Sequence, residues 1–401
     1  MSHQKKSLIV TNEKVNNYLH DDIVFSILSK LPLKSLKRFG CVRKSWSLLF
    51  ENTYFMNMVR SYFLSKDPSH RRDAFLLLGQ VFSPTITLYS LSDERIENMV
   101  KLNIPNPFQE QTETCFVFDI LNMGGINDII YVRCHLRNND LEIYTRDLLW
   151  NPTTDELKVI PRSPTKDPRS PVTVDVSVHG FGYDCVKHDY KVLQHIQFIG
   201  RSYPCTGYVS LGDITFEPFW EIYNLRSNSW RKLDVFMPTF YHTPHARVYM
   251  DGVCHWLYID FESYLGSFDL SNETFFTTAI PSDIDCGFDE GYIWRHLMVL
   301  NESIALVTYH EKKTTLNISI LGELNVKESW IKLFIFGFLP SIEFPIGVAK
   351  GKLFFKRIDK ELAWIDLTTH MIEDFGAKEG DCSFNMLVCK ENFLPIDRCN
   401  K

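Results

Sequence analysis

The sequence predicts an α+β multidomain chain: a small all-α module followed by an all-β domain of propeller type. Three observations carry that prediction. Residues 21 to 63 place apolar side chains at helical spacing. From about residue 75 the pattern changes to short apolar runs broken by Gly, Pro, Asn and Asp, a β signature. Within that β region a single short block recurs six times. The expected boundaries are a flexible N-terminus over 1–17, the helical module over 18–64, a linker over 65–74, the β domain over 75–390 and a tail over 391–401.

The helices follow in order. Asp21 and Asp22 are good N-cap residues and put negative charge at a helix start, where the dipole favours it. Ile23, Ile27, Leu28 and Leu31 then share one helical face. Pro32 stops this helix, because its ring bars the preceding residue from the helical region. Ser35 is expected to cap a second short helix bearing Leu36 and Phe39, which Gly40 ends. A third helix is expected over Val42 to Phe50, with Val42, Trp46 and Leu49 on one side. A fourth stripe follows at Phe55, Met58, Val59, Tyr62 and Phe63. So small a module cannot bury this many large side chains by itself. The surplus faces another protein, caps the downstream domain, or belongs to an ordinary helical subdomain.

The β blocks are LYSLSDER from Leu88, WNPTTDELKVIP from Trp150, YNLRSNSWRKL from Tyr223, FDLSNETFFTTAIP from Phe268, ILGELNVKESWIKL from Ile320 and IDLTTHMIEDF from Ile365. Each is an apolar residue, a short polar turn and a hydrophobic strand. The closest are about 45 residues apart, the length of a four-stranded propeller blade. Asp251-Gly252 and Lys350-Gly351 each open an alternating strand, as a hairpin turn would. Aromatic residues make up 14% of the chain, which favours pleated surfaces. A generic β-sandwich with similar hairpins is the rival architecture, and the blade count stays open.

Composition excludes several functions. Net charge is −6, with no basic footprint for nucleic acid. No signal-like N-terminal run and no stretch of 18 apolar residues is present, so a cytoplasmic and/or nuclear protein without a membrane role is expected. The ten cysteines include no C-x-x-C pair and read as reduced, mostly buried thiols. The sequons at Asn272, Asn301 and Asn317 then read as chance matches. No catalytic, phosphate-binding or zinc-protease motif is present, so no enzyme, cofactor or metal is expected. Gly180-Phe-Gly182 is too short to cradle a phosphate and is placed at a strand turn. His242 and His245, split by Pro244, read as a surface loop rather than a metal pair. Asp283, Asp285, Asp289 and Glu290 lack the regular spacing calcium needs and read as an acidic loop that is solvated or meets a basic partner. Lys66 to Arg72 reads as a solvated basic linker.

The run YLHDDIVFSILSKLPLKSLKRFGCVRKSW, residues 18 to 46, resembles the F-box of plant proteins at nearly every diagnostic position. The resemblance covers residues 18 to 60. It implies that Leu19, Asp21, Ile23, Ile27, Leu28, Leu31, Pro32, Leu36, Val42, Lys44 and Trp46 form a face for a Skp-type adaptor, and through it a cullin. One departure is Leu19-His20, where the family usually has Leu-Pro. That change puts the strength of docking in question. The blocks LWNPTTDELKVIP, HGFGYD with YKVL, and LGSFDL resemble the F-box-associated, kelch-like domain over most of residues 75 to 390. The kelch double glycine is missing from most repeats, Gly124-Gly125 being the sole such pair. Together these imply the substrate receptor of a cullin-type (SCF) ubiquitin ligase. It would act by proximity, raising the effective concentration of target lysines near the transferring enzyme. Nothing in the sequence separates the pollen S-locus subgroup from the larger family, and nothing names the target. Length alone nominates 103–128, 161–178, 200–218 and 281–292 as target-binding connections. A scaffold without ligase function and a propeller enzyme are the alternatives.

Overall fold

The computed structural model describes residues 21–31, 33–40, 46, 48–66, 74–80, 85–91, 96–103, 114–120, 129–137, 143–151, 154, 156–164, 172–200, 217–238, 246–259, 262–285, 293–337, 339, 342–378 and 382–388. Among the described residues, twenty-four strands form six four-stranded antiparallel sheets. Five are simple meanders of consecutive strands. The remaining sheet joins both ends of the domain: its innermost strand, Cys382–Val388, pairs antiparallel with Ala74–Gln80, which continues to Thr85–Leu91 and Ile96–Asn103. This pairing closes the ring and leaves no free inner edge there. The architecture is a propeller rather than a sandwich, with six blades among the described residues.

Every one of the six sequence blocks falls at the same place, the hairpin between the two outer strands of a blade. Local hydrogen bonding explains the polar turns. Asp269 Oδ1 accepts from the amides of Ser271 and Asn272 at 2.8 and 3.0 Å. Asp366 Oδ1 accepts from those of Thr368 and Thr369 at 2.8 Å. Such side-chain bonds mimic a backbone turn. Four residues after the leading Asp or Asn the chain turns left-handed, at Asn228, Glu273 and His370. The two-residue turns Asp251-Gly252 and Lys350-Gly351 have positive φ at both positions, as the hairpin reading requires.

Gly180 and Gly182 are not at a turn. They lie within the continuous strand Val172–Asp184 at the seam between the third and fourth blades. A Cβ on Gly180 would come within 2.5 Å of Cys254 Sγ, and one on Gly182 within 2.5 Å of Leu270 and Tyr249. Close approach of the neighbouring blade is what requires glycine here.

Charges inside the ring are paired. Lys191 is fully buried, 2.7 Å from Asp184 Oδ2, and donates to the Leu270 carbonyl of the next blade at 2.6 Å. Ser271 Oγ donates to Asp184 Oδ1 at 2.6 Å. Burial would raise the Asp184 carboxyl, but hydrogen bonds from Lys191 and Ser271 overcome it and hold it at about 2. Arg133 makes a two-pronged contact with Asp147 at 2.7 and 3.1 Å and donates to the Val176 carbonyl of the third blade. Asp285 does not belong to a solvated acidic loop. It is buried and takes a two-pronged contact from Arg295 at 2.7 and 2.8 Å. Asp289 and Glu290 lie outside the described residues, as do His242, His245 and Gly124-Gly125.

In the helical module, α1 spans Asp21–Leu28, α2 Leu33–Gly40 and α3 Thr53–Ser65, with a 3-10 turn at Leu48–Glu51. Ser35 lies inside α2 rather than capping it, because the helix already begins at Leu33. The described part of the expected third helix is Trp46 and the 3-10 turn. Asn52 caps α3, its Oδ1 accepting from the Phe55 amide at 3.0 Å. The buried face of α3 is Phe55, Met56, Val59, Phe63 and Leu64, so Met56 and Leu64 stand where the stripe placed Met58 and Tyr62.

Candidate docking surface

The helical module packs on the fifth blade, formed by Ile293–Leu300, Ser303–His310, Thr315–Leu321 and Trp330–Phe336. One continuous apolar cluster joins Leu28, Leu36, Leu49, Phe55, Val59 and Phe63 to residues of the fifth and sixth blades such as Ile331, Leu333 and Leu353. Polar contacts cross the same boundary. Arg60 Nε donates to the Leu333 carbonyl. Asn301 Nδ2 donates to the Phe63 carbonyl at 3.0 Å. Arg38 reaches both carboxylate oxygens of Glu323 at 3.0 and 2.8 Å. Much of the apolar surplus of the helices is therefore used within the chain.

The rest faces outward. Ile23 and Ile27 are 49% and 52% exposed, one helical turn apart on α1. Phe39, Leu48 and Tyr54 are exposed as well. The residues assigned to the adaptor face divide accordingly. Ile23 and Ile27 are open. Leu28 and Leu36 are 4% and 2% exposed and belong to the shared core. Leu31 and Trp46 are partly buried against that core, Trp46 with its ring centroid 5.8 Å from that of Phe39. Asp21 begins α1. Leu19, Pro32, Val42 and Lys44 lie outside the described residues. Sequence reasoning does not assign Phe39, Leu48 and Tyr54 to the surface. Phe39 sits on the apolar stripe of α2, and helical spacing alone does not say which members of a stripe the propeller covers.

The propeller offers a second surface. All neighbouring strands run antiparallel, so connections leave alternately from two ends. One end carries the tight turns, such as Asp251-Gly252, Asn301-Glu302 and Lys350-Gly351. The contacts of Asn301 and Glu323 with Phe63 and Arg38 place Arg38 of α2 and the last turn of α3 by this end of the fifth blade. Phe50 and Met56 line a cavity with Pro281, Asp283 and Ile284 of the connection that enters that blade. The other end carries the long connections. The segments between Ile96–Asn103 and Thr114–Ile120, between Glu156–Val159 and Val172–Asp184, between Asp189–Gly200 and Phe219–Asn224, and between Thr274–Ala279 and Ile293–Leu300 all leave from it. The long connections nominated from length thus share one end of the ring, except that 121–128 joins the two inner strands of its blade at the other end. Most of their residues lie outside the described set. Among the described residues no group of three or more His, Cys, Asp or Glu is placed to hold a metal.

Sequence comparison adds the family. The F-box associated beta propeller domain matches residues 80–382. This chain belongs to the F-box-associated propeller family of plant F-box proteins. It is similar to F-box only protein 8 of Arabidopsis thaliana, 29% identical over 67% of this chain and 81% of that protein. It is also similar to F-box protein CPR1 of Arabidopsis thaliana, 23% identical over 91% of this chain and 86% of that protein. The second alignment spans nearly the whole chain, at an identity that supports the family and not a shared target. The matched span contains all six blocks.

Proposed function

We propose that this chain is the substrate-recognition subunit of an SCF-type cullin ubiquitin ligase. Residues 18–64 act as the F-box that docks a Skp-type adaptor, and through it a cullin. The propeller holds a target protein at the end with the long connections. The chain does no bond chemistry itself; its contribution is proximity, which raises the effective concentration of target lysines. It works in the cytoplasm, the nucleus or both. The observation that carries the reading is the pair Ile23 and Ile27, open to solvent on a helix whose other apolar residues are buried or half-buried. Exposed branched anchors beside a finished core mark a surface built for a partner.

The test is capture of a Skp-type adaptor and cullin by the intact chain and by Ile23→Asp with Ile27→Asp. Both residues are exposed, so the fold is expected to survive, with the circular dichroism of the intact chain. Adaptor capture is expected to fall at least about tenfold, the loss of a charge placed in an apolar contact. Equal capture by the two chains would remove α1 from the adaptor surface. Absence of capture by the intact chain would favour a propeller scaffold without ligase function, a reading the Leu19-His20 departure keeps alive.

A further inference from the structure

The contacts between the helices and the fifth blade have a consequence for how the chain works. We infer that the helical module and the fifth blade form one mechanical unit, so that anything held by α1 and anything held by the propeller keep a fixed mutual orientation. The functional sense of this inference rests on the receptor reading above, but the coupling itself does not.

Three kinds of contact support it. The first is a shared core. Phe55 and Val59 of α3 are as buried as residues in the propeller interior, and they lie in one cluster with Ile331, Leu333 and Phe334. A linked pair of independent domains would instead meet through a modest polar interface. The second is edge protection. Trp330–Phe336 is the outermost strand of its blade, with one row of backbone groups that no further strand can pair. Arg60 donates to the carbonyl of Leu333, the residue that the strand pairing skips at a bulge, and places its guanidinium 6.0 Å from the Phe334 ring centroid. Covering an edge in this way is a device that native sheets use against unwanted pairing. The third is the spread of the polar contacts. Arg38 is on α2, Arg60 within α3 and the Phe63 carbonyl near its end. Their partners are Glu323, Leu333 and Asn301. Contacts from two helices to three separate propeller segments restrain rotation as well as position, which one salt bridge on a flexible tether cannot do.

The coupling predicts that α3 and the edge strand open together. Cooperative units of this kind show in amide hydrogen exchange of the native protein. The experiment is exchange on the full chain, unaltered and as Arg60→Ala, followed over Thr53–Ser65, Trp330–Phe336 and, as an internal reference, Asp189–Gly200 of the third blade. The expected result is acceleration of both α3 and the edge strand by about tenfold or more, with the third blade changed less than about threefold. Acceleration of α3 alone, or of neither, would overturn the inference. If Arg60→Ala loses protection everywhere, the decision passes to Arg38→Glu, which alters an exposed contact. There α3 and the edge strand should again move together, and Glu323→Arg added to Arg38→Glu should restore both. Independent changes, or no restoration, would overturn it. Adaptor capture by the unaltered chain is measured separately. Coupling without capture leaves this inference standing and removes the receptor reading; capture without coupling does the reverse.

Discussion

The propeller and the helical module treat their apolar and charged residues in opposite ways. In the ring, buried charges are neutralised: Lys191 by Asp184, Arg133 by Asp147, Arg295 by Asp285. Its seams are filled so tightly that two positions admit only glycine. In the helical module the salt bridge is on the surface, and Ile23, Ile27, Phe39, Leu48 and Tyr54 face solvent. The ring exposes apolar side chains too, Phe236, Val186, Ile358, Met371 and Ile335 among them, but these are scattered over strands and connections of three blades, whereas those of the module stand within four helical segments close in sequence. The module has enough apolar residues for two surfaces and has used one of them on the fifth blade. A region whose buried charges and seams are matched reads as a scaffold, and one that gathers exposed anchors on a few helical segments reads as a hook.

The largest expected effect tests the charge matching of the ring. Asp184→Asn removes the charge that faces a fully buried Lys191. Breaking a buried pair leaves an uncompensated charge, and the expected loss is about 3–5 kcal/mol. Urea unfolding followed by tryptophan fluorescence measures it. A shift under about 1 kcal/mol would mean that the Leu270 carbonyl and Glu273 suffice to hold the ammonium, and that the ring tolerates an unfinished seam. Removing Lys191 as well, with Lys191→Met and Asp184→Asn together, should recover most of the loss, since two apolar or neutral groups leave nothing charged in the interior.

The next tests the double use of α1. Leu28→Ala is expected to cost about 2–5 kcal/mol, because Leu28 is in the core shared with the fifth blade. Ile27→Ala, its immediate neighbour, is expected to stay within about 0.5 kcal/mol of the unaltered chain. Thermal melts of the two variants decide it. Equal destabilisation would mean that α1 has no free face and that the contrast between the two regions is overdrawn.

These neighbours also mark how far sequence reasoning reaches. The helical stripe places Ile27 and Leu28 on one face, and both join the adaptor surface by resemblance. Hydrophobic spacing shows that a residue will be covered, but not by which body. The six blade hairpins are legible because their turns are made by residues a few positions apart, as Asp269 is from Ser271 and Asn272. Closure of the ring by Cys382–Val388 against Ala74–Gln80 is not legible, because it joins strands roughly 300 residues apart. Asp285 misleads for the same reason at shorter range: its partner Arg295 lies beyond the connection, in the next blade. Gly180 and Gly182 signal a turn because their real requirement comes from Cys254, Leu270 and Tyr249, which only the packed seam brings near.

The smallest expected effect is a pH dependence that the propeller should show and the helices should lack. His255 is fully buried, with Nδ1 2.8 Å from Ser267 Oγ, and burial pushes its pKa down to about 3. In the unfolded chain an imidazole titrates near pH 6.5. Between those values the unfolded chain binds a proton that the folded chain refuses. Stability is therefore full above about pH 6.5 and falls as the pH drops towards 3, by about 1 kcal/mol per pH unit for this one group. His195 is also lowered by burial and acts in the same direction, with the charge of Asp175 opposing it. The stability that Asp184, held at about 2, contributes is fully present above its ordinary value of 3.8 and lost only below it. Asp189, raised by burial, and Glu273, which burial would raise but the Arg231 hydrogen bond lowers, enter towards pH 4.5. In unfolding at pH 6.5, 5.5 and 4.5, the step from pH 6.5 to 5.5 therefore reads the histidines best. No described residue of the helical module is a histidine. His255→Gln keeps a polar partner for Ser267 and should flatten the slope by that same amount, whereas an unchanged slope would assign the acid sensitivity elsewhere. Because α3 shares its core with the fifth blade, acid that loosens the ring should also loosen the helices, although no described residue of theirs is a histidine.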